Sequence, residues 1–249
     1  MPQVFDSLGQ QYDLEESPIG EGGQGAVYRV QGQPRRIVKL MSRARDPEAL
    51  RGHFAALRRM SLQDLHVARP ISVLKAPDVG YVAEFLDGMS PILSLMRPPQ
   101  GRELLPWYIE TGGLRRRLRL LAHAGEALAG LHTRGLIYMD ISPNNIFVSS
   151  APHALEAWLI DLDNLCYTSE LGKSFFTPFF GAPEVVKGRE GCTSLSDAWA
   201  FAVLAWNALT LNHPLIGDHV NDGEPELEEQ ALRGELPWVA HSSNDLNLS

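Results

Sequence analysis

The hydrophobic pattern changes period near Pro98-Pro99-Gln100-Gly101, and that change limits the folds open to the chain. Before it, short β-type runs dominate, at residues 14–19, 26–30, 37–40, 71–74 and 81–86. Gly32-Gln33-Pro34 and Ala76-Pro77-Asp78 read as turns between them. One helix interrupts these strands. Asp46 can cap it and Pro47 suits its first position, and Phe54, Leu57 and Met60 then give it one apolar face. After the change, Leu114, Leu118, Leu121, Leu128 and Leu131 recur at helical spacing, and Arg115-Arg116-Arg117 at the start of this run reads as a solvated helix face. Strands return at residues 146–148 and 158–160, around a turn-rich connection; the rest is helices and loops. A small β-rich lobe followed by a larger helical one is an α+β plan, with a cleft between lobes as a natural ligand site.

Composition narrows the function. The 249 residues carry a net charge of −8, and residues 218–249 hold eight acidic side chains against the single basic Arg233. That segment reads as a solvated, partly ordered tail, and the nearly neutral body excludes general affinity for nucleic acid. Two cysteines, Cys166 and Cys192, make no disulfide framework, so a reducing cytoplasm is the expected compartment. No secretory signal is visible at the N-terminus. Residues 198–217 lack charge, but their continuous apolar part is too short for a membrane span and reads as a core helix.

Four elements carry chemistry. Gly20, Gly22 and Gly25 form G-x-G-x-x-G; such glycines allow a tight turn and bring backbone amides close to phosphate oxygens. Strand-like residues follow it, so a hairpin over a nucleotide's phosphates fits better than a strand-to-helix turn. Lys39 stands between apolar strand residues, costly to bury unpaired and well placed to hold phosphate. Asp140 and Asn145 lie five apart in a turn ahead of an apolar run; a carboxylate there can take a proton from an alcohol, and an amide oxygen can bind a hard cation. Asp161 and Asp163 follow the next apolar run and offer further oxygen ligands.

In this order the four elements resemble the eukaryotic-type (Hanks-type) protein kinases. Gly181-Ala182-Pro183-Glu184 resembles the A-P-E element of that family, and Ser196-Asp197-Ala198-Trp199 the start of its central helix. The D-x-D in place of D-F-G, with the late Arg233-Gly234-Glu235-Leu236-Pro237-Trp238, is similar to bacterial kinases found with von Willebrand-type and phosphatase partners or carrying helix-hairpin-helix modules. The resemblance implies a bilobal protein-kinase-like α+β fold: an antiparallel β-rich N-lobe with one main helix at residues 1–86, a hinge and linker at 87–102, a mainly helical C-lobe at 103–217 and the acidic segment at 218–249. Either this C-lobe is abbreviated or the chain stops before the lobe's end.

The implied function is an ATP- and Mg²⁺-dependent protein serine/threonine kinase, acting on a protein hydroxyl that includes its own Thr168, Ser174 or Thr177 as candidates. The resemblance assigns the glycine hairpin and Val27 to ATP, and Lys39 to its α/β-phosphates. Ala83 would back the adenine pocket, with Glu84 and Leu86 offering hinge backbone. Asp140 would be the base, and Asn145 and Asp161 would hold Mg²⁺. Departures leave alternatives: a pseudokinase serving as a nucleotide-binding scaffold, or a small-molecule phosphotransferase. His53 stands where the family's helix glutamate would pair with Lys39; Glu48, about 140° away around the helix, is the nearest acid, so Asp161 is the expected partner of the lysine. Met139 replaces the arginine before the base, and Ser142 replaces a phosphate-binding lysine. Asp163 replaces the glycine of D-F-G and either adds a metal ligand or stays solvated.

Overall fold

The computed structural model describes residues 2–42, 46–169 and 174–241. The chain forms two compact units: residues 1–88 with 160–163, and residues 89–159 with 164–249.

In the first unit, β1 (Gln3–Phe5) and β2 (Gln11–Asp13) make a hairpin, followed by β3 (Gly20–Glu21), β4 (Gly25–Val30), β5 (Gln33–Met41), α1 (Pro47–Arg59), β6 (Ser72–Val73) and β7 (Gly80–Glu84). A five-stranded antiparallel sheet runs β3-β4-β5-β7-β6. The Asp46 carboxylate accepts the Ala49 N–H at 3.0 Å and so starts α1, where Phe54 and Leu57 form the buried face. Residues 14–19 are not a strand. Leu14 makes an isolated bridge to Val30, and the chain then bends through Ser17 and Pro18, whose missing N–H cannot join a ladder. The β1–β2 hairpin, unforeseen in the sequence, packs Val4 and Tyr12 into a core with Leu14, Val30, Val38, Leu74 and Val82.

The second unit contains β8 (Met89–Pro91), α2 (Leu104–Glu110), α3 (Gly113–His132), β9 (Leu136–Ile137), β10 (Ile146–Ser149), β11 (Ala157–Leu159), β12 (Cys166–Tyr167), α4 (Pro183–Val186), α5 (Ser194–Thr210), α6 (Asp218–Asn221) and α7 (Pro225–Leu232). Residues 87–102, read as hinge and linker, contain β8 and a 3-10 turn at Ile92–Leu95; β8 pairs with β10, which also pairs with β11. α3 packs on β11 and α5. Its buried face is set by Leu120, Leu121, Ala124, Leu128 and Leu131, while Leu114 and Leu118 are exposed.

The arginine run on α3 departs from the expected solvated face. Arg116 and Arg117 are buried and bind carbonyls instead of water. Arg117 donates to Leu95 O at 2.8 Å and Gly113 O at 3.2 Å, and stacks over Tyr108 at 4.1 Å; Arg116 donates to Thr111 O at 2.9 Å and to Ser149 O. Guanidinium is weakly hydrated for a cation and its planar fork suits several carbonyls at once, which permits this burial.

α5 starts in a reciprocal capping box between Thr193 and Ser196 and is the expected core helix; among the described residues no helix is long and apolar enough to cross a membrane. The acidic segment carries α6 and α7, where Val220 and Ala231 pack with Leu215. Residues 242–249 lie outside the described residues.

Candidate functional site

The candidate residues of the first unit share one sheet face by register. Val27 on β4 lies opposite Lys39 on β5, and Lys39 lies opposite Tyr81 on β7; Ile37 and Ala83 form the next such pair. Directly paired residues, and those two apart on a strand, project to the same side, so Val27, Lys39, Tyr81 and Ala83 line one surface. Gly20 and Gly22 belong to the β3–β4 hairpin, where Gly22 N donates to Gly25 O at 2.9 Å. A Cβ at Gly20 or Gly22 would meet nothing within 4 Å, whereas one on Gly25 would fall 2.1 Å from Leu40 O. Gly25 is therefore required by the approach of β5, apart from any role toward phosphate. Glu84 ends β7, exposed, and Leu86 follows in the loop.

Lys39 is buried and faces two carboxylates. Its Nζ donates to Asp161 Oδ1 at 2.6 Å and lies 2.7 Å from Asp163 Oδ2, an ion-pair contact without an aligned hydrogen bond. Tyr81 completes the group: its hydroxyl donates to Asp163 Oδ1 at 2.9 Å. Burial alone would pull the Lys39 pKa down, but Asp163 and Asp161 outweigh it and hold the ammonium above its usual value. Asp163 is pushed up to about 6, first by burial and then by the Asp161 charge, against the lowering pull of Lys39 and Tyr81.

Asp161 pairs with Lys39 as expected from the sequence, at a positive φ of 57°. Asp163 is not solvated; it is buried against Lys39 and Tyr81. Glu48 does not reach the lysine and instead accepts from Arg51 at 2.6 Å on the helix surface.

In the second unit, Asp140 sits on a loop shaped by Asp197. The buried Asp197 carboxylate accepts the Tyr138 N–H at 2.7 Å and the Met139 N–H at 2.8 Å, and His132 Nε2 donates to it at 2.9 Å. These bonds hold Met139 at φ 68°, a conformation that costs a residue with a Cβ of order 1–3 kcal/mol. The turn delivers Asp140, itself buried, and Asp140 Oδ1 accepts the Thr177 hydroxyl at 2.6 Å. Asn145 Nδ2 donates to Asp140 O at 3.0 Å, which fixes the amide and turns its oxygen away from that bond. Ser142 is buried in the same loop. Thr168 and Ser174 are exposed, whereas Thr177 is half-buried and its hydroxyl is engaged by Asp140.

Sequence reasoning missed three contributors. Asp197 lies inside Ser196-Asp197-Ala198-Trp199, where its spacing marks a helix start and nothing local marks the Asp140 loop as its partner. His132 ends α3 with no local motif around it. Tyr81 carried one available signal, its position in the strand expected beside that of Lys39.

The protein kinase domain family matches residues 14–245. Over 213 residues the chain is 28% identical to the serine/threonine-protein kinase pkn2 of Myxococcus xanthus, covering 80% of this chain and 24% of that protein. It is 26% identical over 220 residues to the DNA damage-responsive serine/threonine-protein kinase RqkA of Deinococcus radiodurans, covering 80% of this chain and 30% of that protein. A shorter match, 33% identical over 118 residues, joins 46% of this chain to 10% of Protein kinase C-like 1 of Saccharomyces cerevisiae. The chain thus spans less than a third of the length of the two bacterial relatives. With the match running from Leu14, ahead of the glycine hairpin, to residue 245, beyond α7, the chain belongs to the protein kinase domain family.

Proposed function

We propose that the chain is an ATP- and Mg²⁺-dependent protein serine/threonine kinase with Asp140 as the catalytic base. The observation that carries this reading is the 2.6 Å hydrogen bond by which the buried Asp140 carboxylate accepts an aliphatic alcohol, that of Thr177. A serine or threonine hydroxyl of a substrate needs the same acceptor to be oriented and to lose its proton as the new P–O bond forms.

The other roles follow from the chemistry of each group. The hairpin of Gly20, Gly22 and Gly25 and the apolar Val27 and Ala83 cover the nucleotide, with Glu84 and Leu86 offering backbone to the base. Lys39, kept protonated by its two carboxylates, holds α/β-phosphate oxygens. Among the described residues no group of three or more His, Cys, Asp or Glu forms a self-contained metal cage. That suits Mg²⁺, which typically takes one or two carboxylates together with waters and substrate phosphates. The half-exposed Asp161 and the amide oxygen of Asn145 are the residues that would hold it. When bound, the ion would neutralise charge on the β- and γ-phosphates. The serine at 142 brings no cation, so the chain's own positive charge toward phosphate rests on Lys39.

The test is phosphate transfer from labelled ATP to a generic protein substrate and to the chain itself. Asp140→Ala is expected to lower turnover by at least about a hundredfold, the scale of a lost general base. Equal incorporation by both proteins would overturn the assignment. Stabilisation by ATP without any turnover would favour a nucleotide-binding scaffold, and transfer to a small alcohol with proteins untouched would favour a metabolite kinase.

A further inference from the structure

We propose that Asp163 is the positioning residue of Lys39, doing from the D-x-D turn what a helix carboxylate would otherwise do. The proposal rests on the kinase reading for its catalytic consequence, but the pairing itself is a matter of geometry. Lys39 Nζ lies 2.7 Å from Asp163 Oδ2, and the Asp163 side chain is only 3% exposed, against 26% for Asp161. The second oxygen of Asp163 is fixed by the Tyr81 hydroxyl at 2.9 Å. Tyr81 is the cross-strand neighbour of Lys39 and packs edge-on against Phe54 of α1, with ring centroids 4.9 Å apart. The carboxylate is therefore oriented by the same sheet that carries the lysine.

α1 supplies no competing acid. Glu48 is its single acidic residue, 82% exposed and engaged with Arg51, and the helix presents the aromatic ring of Phe54 to Tyr81 instead. Asp161 and Asp163 thus divide two tasks. The more open Asp161 can turn toward a cation, while the enclosed Asp163 keeps Lys39 in place. Both carboxylates sit on one turn, separated by the buried Leu162. One loop conformation then sets the lysine and the metal-holding carboxylate together. Displacement of the helix, a common means of breaking the lysine's ion pair in protein kinases, would leave this pair intact.

The experiment reads Lys39 directly, in the full chain without nucleotide or metal. The ¹⁵N resonance of its ammonium is assigned by its loss in Lys39→Met and followed in Asp163→Asn and Glu48→Gln, with urea midpoints checking folding. Asp163→Asn is expected to shift the resonance and speed its proton exchange; Glu48→Gln is expected to change neither. In turnover assays Asp163→Asn should lower kcat at least tenfold with a smaller change in the KM for ATP. If Asp163→Asn does not fold, Tyr81→Phe removes only the orienting hydroxyl and should give a smaller shift of the same signal. An unmoved Lys39 signal in the folded variant, or an undiminished kcat in an active enzyme, would overturn the proposal. A responsive Lys39 signal in a protein that transfers no phosphate would uphold the pairing and overturn the kinase reading instead.

Discussion

Met139, next to Asp140, and Asp161 itself are both held at positive φ. The energy to hold Met139 comes from one residue, Asp197, which takes two adjacent backbone N–H groups and the His132 ring. Asp197→Asn keeps the shape but turns an NH₂ toward a donor that then lacks an acceptor. The expected cost is about 2–3 kcal/mol in urea unfolding, with turnover falling more than tenfold because Asp140 loses its placement. His213 makes a second residue-level prediction. Its Nε2 donates to Phe179 O at 2.9 Å and its Nδ1 accepts the Leu215 N–H at 3.1 Å, so the fold uses the neutral ring. Burial lowers its pKa below the ordinary 6.5, only partly opposed by Phe179 O. Below that value the unfolded chain binds the proton more readily. The contribution of His213 is therefore fully present above pH 6.5 and lost as the pH falls through the depressed folded value. His213→Gln, which cannot titrate, should flatten this part of the thermal midpoint's dependence as the pH falls below 6.5.

At the scale of elements, β5 is the strand on which the first unit depends, because its neighbours approach it too closely for a side chain. A Cβ at Gly25 would fall 2.1 Å from Leu40 O, and one at Gly80 would fall 2.0 Å from Lys39 O. Gly80 also has φ 152°, which an L side chain rarely adopts. Gly80→Ala is expected to cost more than about 3 kcal/mol and to displace Lys39, while Gly23→Ala, with nothing within 4 Å, should leave the urea midpoint nearly unchanged. α3 shows a related limit on local reading. Its arginines look like surface on charge alone, yet carbonyls at Leu95 and Ser149 receive them.

 Leu95 is the last residue of the 3-10 turn that precedes α2, so this capture ties α3 to a segment 22 residues earlier in the chain.

At the scale of the whole molecule, the β1–β2 hairpin precedes the first residue of the kinase family match yet shares the core of the first unit. Val4 and Tyr12 are both buried there. Deleting residues 1–13 should lower stability by about 3–5 kcal/mol, the scale of losing the burial of two large side chains from this core, read as a fall in the urea midpoint. At the other end, α6 and α7 give the acidic segment a small apolar cluster of its own, and Lys187 after α4 pairs with Glu235 at 3.3 Å. Arg233 pairs with Glu229 on its own helix face, at 2.6 Å. Neighbours along the chain encode a strand-rich start followed by a helical remainder, the cap of α1 and the core character of α5, and short motifs single out Lys39, Asp140, Asn145 and Asp161 as candidates, because periodicity, capping and motif spacing are local. What distant residues do to one another is set by folding. It chose Asp163 and Tyr81 as companions of Lys39, gave Asp197 the shaping of the Asp140 loop, and buried Arg116 and Arg117. Each of those outcomes depends on burial and on partners brought close by folding, which raise or remove the cost of a charge in ways that local spacing does not encode.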